Sequence, residues 1–344
     1  MTWADGDGLE SRKDRSTVLI IAPANDPHAC VVAKRLEALE AKPIILDSAD
    51  FPGKWHLSFG VANGEPRRYV LGRNDVLLDE ENLVGVWWRR PRLYIPSSDV
   101  QEAHLRRFIT SESRAAFEGW LHCLGDRVIN PIAADRAASY KLLQLQCAIE
   151  VGLKIPRSLA TNSPVRARQF FEANGPQTVY KPFTAADWQL IATQRLTVDA
   201  MQHMEAVSYA PVIFQEEIRK VADIRVSILD GQVFPVLIRT KLKNAPIDWR
   251  VDPAREYVAH ELPEPIKTSL LALMVKLGLR FAACDLALTE EGDYVFFEVN
   301  TGGQWLFAEI MADQEISWAF ARALLRLDRP AGFVARGDQI PPNY

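Results

Sequence analysis

The sequence predicts an α/β chain with mixed α+β lobes, and three observations carry that prediction. First, Val18-Leu-Ile-Ile-Ala22, a helix-patterned stretch from Pro27 to Ala41, and Pro43-Ile-Ile-Leu-Asp47 form a strand–helix–strand unit, the building block of a parallel sheet. Second, pairs of apolar runs flank Asp230-Gly231 and Glu291-Gly292, which is the pattern of a β-hairpin. Third, helical periodicity marks Asp135–Val151 and Pro265–Gly278.

Each element follows from its residues. Val18–Ala22 is short, apolar and β-branched, as a strand buried on both faces should be. Val31, Val32, Leu36 and Leu39 give the following helix its apolar side, and no G-x-G-x-x-G precedes it, so a Rossmann dinucleotide site is not expected. Trp55–Val61 and Arg68–Leu71 pair around Asn63-Gly64, and Leu83–Trp88 is a strand leading into Arg89-Arg90-Pro91. Those arginines face a cleft or stack on Trp87 or Trp88. A long amphipathic helix covers Val100–Leu124, and Asn130-Pro131 punctuates the chain. Asp135 caps a helix that runs to Val151, where Gly152 ends it. Pro164–Ala173 is a shorter helix, followed by strands Thr178–Pro182 and Pro211–Ile218. In Asp223–Leu229, alternation sets Asp223, Arg225 and Ser227 on one face, so that face should border solvent or a polar cleft. Phe281–Thr289 pairs with Asp293–Asn300, and Trp305–Leu327 is the last helix. The expected divisions are a disordered tail (1–16), an N-terminal α/β domain (17–130), a central lobe (131–218), a C-terminal lobe (219–330) and a second tail (331–344).

Composition narrows the function. With 344 residues, 48% hydrophobic and 24% charged, the chain can bury a large core without metal or disulfide. Its net charge of -4, with basic residues spread along the chain, argues against a nucleic-acid partner. Four cysteines without a CxxC pair and six histidines argue against structural zinc and suit a reducing cytoplasm. The polar N-terminus does not resemble a signal peptide, and no apolar run is long enough to cross a membrane.

The chemistry concentrates near the C-terminus. The second hairpin brings Asp285 toward Glu298 and Asn300, which share a face of their strand. Two carboxylates and an amide oxygen make a hard, oxygen-only set suited to magnesium. On these residues alone, an ordinary salt bridge to Lys or Arg is an equal reading. Lys141 and Lys181 could neutralise phosphates beside such a metal, though each taken singly reads as a surface lysine. Gln215-Glu216-Glu217-Ile218 ends a strand, where backbone can meet an adenine edge and a carboxylate can hold ribose.

In order, Ser139-Tyr-Lys141, Gly152-Leu-Lys-Ile-Pro156, Tyr180-Lys181-Pro182, Gln215–Ile218, Asp223-Ile-Arg-Val226, Asp285 and Glu298-Val-Asn300 resemble the motifs of the ATP-grasp superfamily. Val86-Trp-Trp-Arg-Arg-Pro91, Asp248-Trp-Arg250 and Phe297-Glu-Val-Asn-Thr-Gly-Gly-Gln-Trp305 look like the ligases that mature graspetides, the microviridin-type ribosomal peptides. The resemblance implies an ATP-grasp fold behind an N-terminal pre-ATP-grasp domain. It implies ATP with Mg2+ (Mn2+ as substitute), and a precursor peptide with acidic and Ser, Thr or Lys residues as partner of a homodimer. The activity implied is an ADP-forming ligation through an acyl phosphate that makes side-chain esters or amides. Within it, Asp285, Glu298 and Asn300 would hold the metal, and Lys141, Lys181 and Gln215–Ile218 would hold ATP. Arg225 and Arg250 would grip the substrate carboxylate and developing phosphate charge, with Arg239 a third candidate that reads more readily as an arginine paired with a nearby acid. Asp223 or Asp248 would act as general base. The chain departs from the pattern at Lys181–Trp188, which has no glycine, and at Asn300-Thr301, where such ligases carry Asn-Pro. Two alternatives share these residues: a ligase that appends an amino acid to a peptide or small acid, and a non-catalytic nucleotide-binding protein.

Overall fold

The structure, a computed structural model, describes residues 16–184, 192–240, 242 and 247–326. Both expected tails lie outside the described residues apart from Ser16, as does the second half (185–188) of the segment from Lys181 to Trp188 where a glycine-rich lid is missing. The described residues divide into two compact units, one of 16–132 with 317–326, the other within 133–316.

The first unit begins with the expected strand–helix–strand: β1 (Thr17–Ile21), α1 (Pro27–Ala38) and β2 (Lys42–Leu46). All of β1 is buried, the physical reason for its unbroken apolar run. The Asp26 carboxylate caps α1 by accepting from the Ala29 amide at 2.9 Å. Next come β3 (His56–Gly60), β4 (Arg68–Arg73) and β5 (Val76–Leu78), a separate three-stranded sheet. The chain then adds β6 (Leu83–Trp88), α2 (Ala103–Cys123) and the short β7 (Val128–Ile129). The main sheet runs β2-β1-β6-β7, with every pairing parallel. Arg89, just past β6, is buried and lies 5.6 Å from the Trp87 ring.

The single helix expected over Asp135–Val151 is two: α3 (Ile132–Ala138) and α4 (Lys141–Glu150). Tyr140 is extended (φ -78°, ψ 105°), and Lys141 opens α4. Neither Gly nor Pro marks this break, because tertiary hydrogen bonds make it. The buried Gln144 amide donates to Ala138 O at 2.6 Å and to Val299 O at 2.9 Å, and its oxygen accepts from the Val299 amide at 2.9 Å.

The second unit continues with β8 (Ser158–Thr161), α5 (Pro164–Asn174), β9 (Thr178–Lys181), β10 (Gln194–Arg195), α6 (Val198–Met201) and β11 (Val212–Glu216). These strands form an antiparallel sheet in the order β10-β9-β11-β8. A five-stranded sheet follows from β12 (Ala222–Leu229), β13 (Gln232–Thr240), β14 (Arg255–Ala259), β15 (Phe281–Leu288) and β16 (Tyr294–Asn300), with α7 (Glu264–Leu277) between β14 and β15. Its order is β14-β13-β12-β15-β16, all antiparallel. Asp230 (φ 45°) and Gly231 (φ 85°) make the tight turn of the β12–β13 hairpin. Ile224, Val226, Ile228, Cys284, Leu286 and Phe296 on one face pack with Ala148, Leu270, Leu273 and Met274 of α4 and α7. The opposite face carries Asp223, Arg225 and Ser227, each no more than 9% exposed, so it borders buried polar surroundings and not solvent.

The expected last helix is also divided. Asp313 adopts the left-handed region (φ 50°) between α8 (Leu306–Ala312) and α9 (Ile316–Leu325). From Ser317 onward α9 belongs to the first unit, where Phe320 meets Trp87 at 4.4 Å between ring centroids. Gly85 makes this packing possible, because a Cβ there would lie 2.2 Å from the Leu324 carbonyl oxygen.

Candidate active site

The site is built on one cross-strand row of the five-stranded sheet. Arg225 on β12 stands opposite Asp285 on β15, and Asp285 stands opposite Glu298 on β16. A bulge decides the second pairing. Leu286 pairs with Phe296 while Asp285 pairs with Glu298, leaving Phe297 as the extra residue. With regular pairing Glu298 would face Cys284 and point to the other side of the sheet; the inserted residue reverses that. Asn300, two positions beyond Glu298, shares its face.

The three oxygen-bearing side chains meet. The Asn300 amide donates to Asp285 Oδ2 at 3.1 Å and to Glu298 Oε1 at 3.2 Å. Cations complete the cluster. Lys141, at the start of α4, donates to Glu298 Oε2 at 2.7 Å, and Arg225 donates to Asp285 Oδ2 at 2.6 Å. Lys181, at the end of β9, lies within electrostatic reach of Glu298, Lys141, Asp285 and Arg250. Of the two readings that the sequence left open, a metal and an ion pair to Lys or Arg, the ion pairs are formed, Glu298 with Lys141 and Asp285 with Arg225.

Burial and charge pull these groups in opposite directions. Burial raises the Asp285 carboxyl above the usual range, and Arg225 only partly offsets it. Burial would also raise Glu298, but Lys141 and Lys181 outweigh it and hold the group down to about 2. Burial pushes the Lys181 ammonium below its usual range against the pull of Glu298.

This donor set fits a hard divalent cation. Asp285 Oδ1 is buried and accepts no hydrogen bond among the described residues, an orphaned carboxyl oxygen that a cation would satisfy. The assigned orientation of Asn300 directs its NH2 at two carboxylates, and rotation by half a turn would present its oxygen instead. Among the described residues no group of three or more His, Cys, Asp or Glu is arranged around a metal. The protein ligands would thus be two carboxylates and one amide, with the remaining positions left to phosphate and water.

The arginines differ. Arg225 is 6% exposed and donates also to Gln304 O at 3.2 Å, which directs its guanidinium at Asp285. Arg250 follows β13 in the chain and reaches the cluster, and its side chain is 45% exposed. Its Nε and Nη2 grip Asp248 at 2.8 and 2.6 Å. Asp248 is held below the usual carboxylate range: burial raises it, but Arg250 and backbone donors at Arg250 and Thr193 prevail. A carboxylate so engaged is a poor base. Asp223 differs, since burial pushes it up to about 6 despite Lys220, which donates to it at 2.6 Å. Arg239 is exposed and pairs with Glu256 at 3.1 Å, the ion-paired arrangement that the sequence reading also offered for it.

The expected nucleotide segment is tied into the central sheet by its side chains. Gln215 donates to Ser158 Oγ at 2.8 Å, Glu216 accepts from the Arg157 amide at 3.0 Å, and Glu217 forms an ion pair with Arg195. A ribose role for Glu217 would require it to leave Arg195. Past the strand end, the Glu217 carbonyl and the Ile218 amide take no backbone partner among the described residues. They form an adjacent acceptor and donor of the kind an adenine edge can use.

Sequence reading missed three supporting residues. Gln144 locks α4 to β16 and so aims Lys141 at Glu298; its only signal is an amide on an apolar helix face. Lys220 holds Asp223 and the Ile247 carbonyl, the latter at 2.7 Å. Gly303 allows close approach: a Cβ there would stand 2.4 Å from Ala283 Cβ and 2.8 Å from Arg225 Nη2. The second glycine of Thr301-Gly302-Gly303 was its visible trace.

Known proteins share this architecture. The family profile of the MvdD pre-ATP grasp domain matches residues 17–136. Macrocyclase MdnB from Microcystis aeruginosa MRC is 31% identical, with a TM-score of 0.74 over 90% of this chain and 99% of MdnB. Macrocyclase MdnC, bound with precursor peptide MdnA from Microcystis aeruginosa MRC, is 28% identical, with a TM-score of 0.78 over 90% of this chain and 99% of MdnC. A RiPP-associated ATP-grasp ligase of Chryseobacterium gregarium, 23% identical, shares the fold with a TM-score of 0.81 over 92% of this chain and 98% of that one. No curated protein matches the chain by sequence. The likeness to MdnB runs through both units and nearly the whole of that enzyme, and so this chain belongs to the ATP-grasp ligase family of the macrocyclases MdnB and MdnC.

Proposed function

We propose that the chain phosphorylates a side-chain carboxylate of a ribosomal precursor peptide with ATP and joins it to a hydroxyl or amine of the same peptide, closing an ester or amide ring. The observation that carries this reading is the meeting of Asp285, Glu298 and Asn300 with Lys141, Arg225 and Lys181 on one side of one sheet. Phosphoryl transfer needs positioning and charge neutralisation more than covalent help. The three oxygen donors would hold magnesium, with manganese as substitute, and a bound divalent ion supplies neutralisation of phosphate charge. Lys141 and Lys181 would turn to the phosphates, and the Glu217 carbonyl and Ile218 amide to the adenine edge. Arg250 keeps its fork half exposed while anchored on Asp248, and it would hold the substrate carboxylate.

The peptide bound to MdnC supports a peptide partner here, with acidic residues as electrophiles. A homodimer and a cytoplasmic setting are part of the same proposal; no helix of the described residues is long and apolar enough to cross a membrane.

The test is ADP release by the purified chain with ATP, magnesium and a synthetic candidate precursor peptide that carries acidic and Ser, Thr or Lys residues, followed by mass spectrometry. The expected result is loss of one water mass per linkage. Asp285→Asn and Glu298→Gln should each lower ADP release by on the order of 100-fold, the scale of losing several kcal/mol of charge stabilisation. Gain of an amino-acid mass would replace this reading with that of a residue-appending ligase, and full ADP release in both variants would remove the metal assignment.

A further inference from the structure

Arg250 stands on a single 3-10 turn, Trp249–Val251, and Asp248 opens that turn. Asp248 Oδ1 accepts from the Arg250 amide at 3.0 Å and from Arg250 Nε at 2.8 Å, while Oδ2 accepts from Nη2 at 2.6 Å. One carboxylate thus caps the turn and also fixes the side chain that the turn carries. A backbone donor at Thr193, just before β10, meets the same carboxylate. The turn is moored on both flanks. Lys220 donates to the Ile247 carbonyl at 2.7 Å, and Arg255 Nη1 donates to the carbonyls of Asp252 and Arg250 at 2.5 and 3.4 Å. The Asp248 side chain is 7% exposed and that of Arg250 45%, so the anchor is buried and the group it holds is open. Arg250 Nη1 donates to none of the described residues, and Glu298 and Asp285 lie within electrostatic reach of the guanidinium.

We propose that Asp248 is a positioning residue of the phosphorylation step, setting the Arg250 guanidinium, before the substrate arrives, where its free N–H groups take the substrate carboxylate; this rests on the acyl-phosphate reading given above. Conformational freedom is the reason. An unheld arginine gives up the freedom of a long side chain when it grips an anion, and that loss weakens the grip. Here folding has already fixed the side chain, so substrate binding does not bear the loss. Arg239 marks the contrast. Its partner Glu256 is itself 37% exposed, and an ion pair in solvent holds a side chain weakly.

Asp248 gives and takes no proton in this role, because its two oxygens are spent on Arg250 and the Thr193 donor. One oxygen of the gripped substrate carboxylate attacks the γ-phosphorus, and the bond from that phosphorus to the β,γ-bridging oxygen breaks. ADP leaves with the bonding pair, and the acyl phosphate remains. The step that depends on Asp248 is therefore formation of the acyl phosphate, ahead of any attack by a hydroxyl or an amine.

The test uses the full chain with ATP, magnesium and a synthetic candidate precursor peptide, and hydroxylamine to trap the acyl phosphate as a hydroxamate. Asp248→Asn should lower kcat/KM of the peptide for hydroxamate formation by about 10- to 30-fold, the scale of ordering one long side chain, with ring formation falling in step. Binding of ADP, read by calorimetry, and the melting temperature should stay at the wild-type values. On an Arg250→Gln background the same change should cost less than about threefold, because the aspartate works through the arginine. Asp248→Ser keeps a cap for the turn and loses the side-chain anchor, and it should repeat these results. Wild-type hydroxamate formation by Asp248→Asn would overturn the inference, whether ring formation persists or is lost. So would equal losses in both backgrounds, a parallel fall in ADP binding, or failure of both Asp248 variants to fold, any of which leaves the ligase reading standing. Absence of both ADP release and hydroxamate from the unaltered chain would instead remove the ligase reading, and this inference with it.

Discussion

Asp223 and Asp248 show how environment separates two carboxylates that the sequence offers equally. Arg250 holds Asp248 ionised and fully engaged, whereas burial lifts Asp223 to about 6. A raised carboxyl is protonated below its pKa and accepts a proton only above it. The crosslinking rate should therefore rise with pH through about 6 and level off above, and Asp223→Asn should lack that limb. The measurement is single-turnover product formation across pH 5 to 8, a window that brackets the value. A limb that survives in Asp223→Asn would assign it to another group. Arg225 carries a different lesson. Its motif led to a role on substrate, yet in this structure it faces Asp285 and Gln304 O. Its immediate effect is to offset in part the rise that burial imposes on the Asp285 carboxyl.

At the scale of elements, the site depends on joints that no periodicity reveals. Gln144 ties the α3–α4 break to β16 through three hydrogen bonds. Gln144→Leu leaves buried backbone groups at Ala138 and Val299 without partners, which costs roughly 2–4 kcal/mol. The urea midpoint should fall accordingly, and nucleotide affinity should weaken because Lys141 loses its mooring. The turn after β16 is a second joint. Gly303→Ala drives a methyl group to 2.4 Å from Ala283 Cβ, so the Thr301–Trp305 turn must shift. ADP release should drop by about 10-fold or more, the scale of a misplaced positioning element. Ala283→Gly in the same chain should restore part of it, since the contacts that remain are the flexible end of Arg225 at 2.8 Å and the Asn300 carbonyl oxygen at 3.0 Å. Failure of the double variant to recover would mean that Gly303 matters for another reason.

At the scale of the whole molecule, the chain leaves its first unit near residue 132 and comes back to it at residue 317. The returning helix covers Trp87 with Phe320, and the Arg35 Nε donates to Ser317 Oγ at 3.1 Å. A chain ended at Ile316 should uncover the Trp87 face of β6 and leave Gly85 without the backbone it packs against. The expected outcome is loss of the cooperative melting transition of the first unit and rapid proteolysis within residues 17–132. Gly85→Val should act in the same direction by forcing α9 away from β6. A truncated chain that melts like the full one would show that α9 is dispensable there.

By itself, the sequence was enough to determine the strand–helix–strand start, both C-terminal hairpins, the helix over Pro265–Gly278 and the identity of the acids and lysines. Each is written in local terms: apolar period, turn dipeptides, and charges placed in otherwise apolar strands. Only tertiary structure decided the helix break before Lys141, the division of the last helix at Asp313, and the return of α9 to the first unit. It also decided that a bulge at Phe297 turns Glu298 to the side of Asp285, and which of two aspartates is raised. These depend on hydrogen bonds, close contacts and burial between residues far apart in the chain, such as Gln144 with Val299 or Asp285 with Arg225. A one-residue pattern has no means of encoding them, because its period is blind to a single inserted residue and to what lies across the sheet.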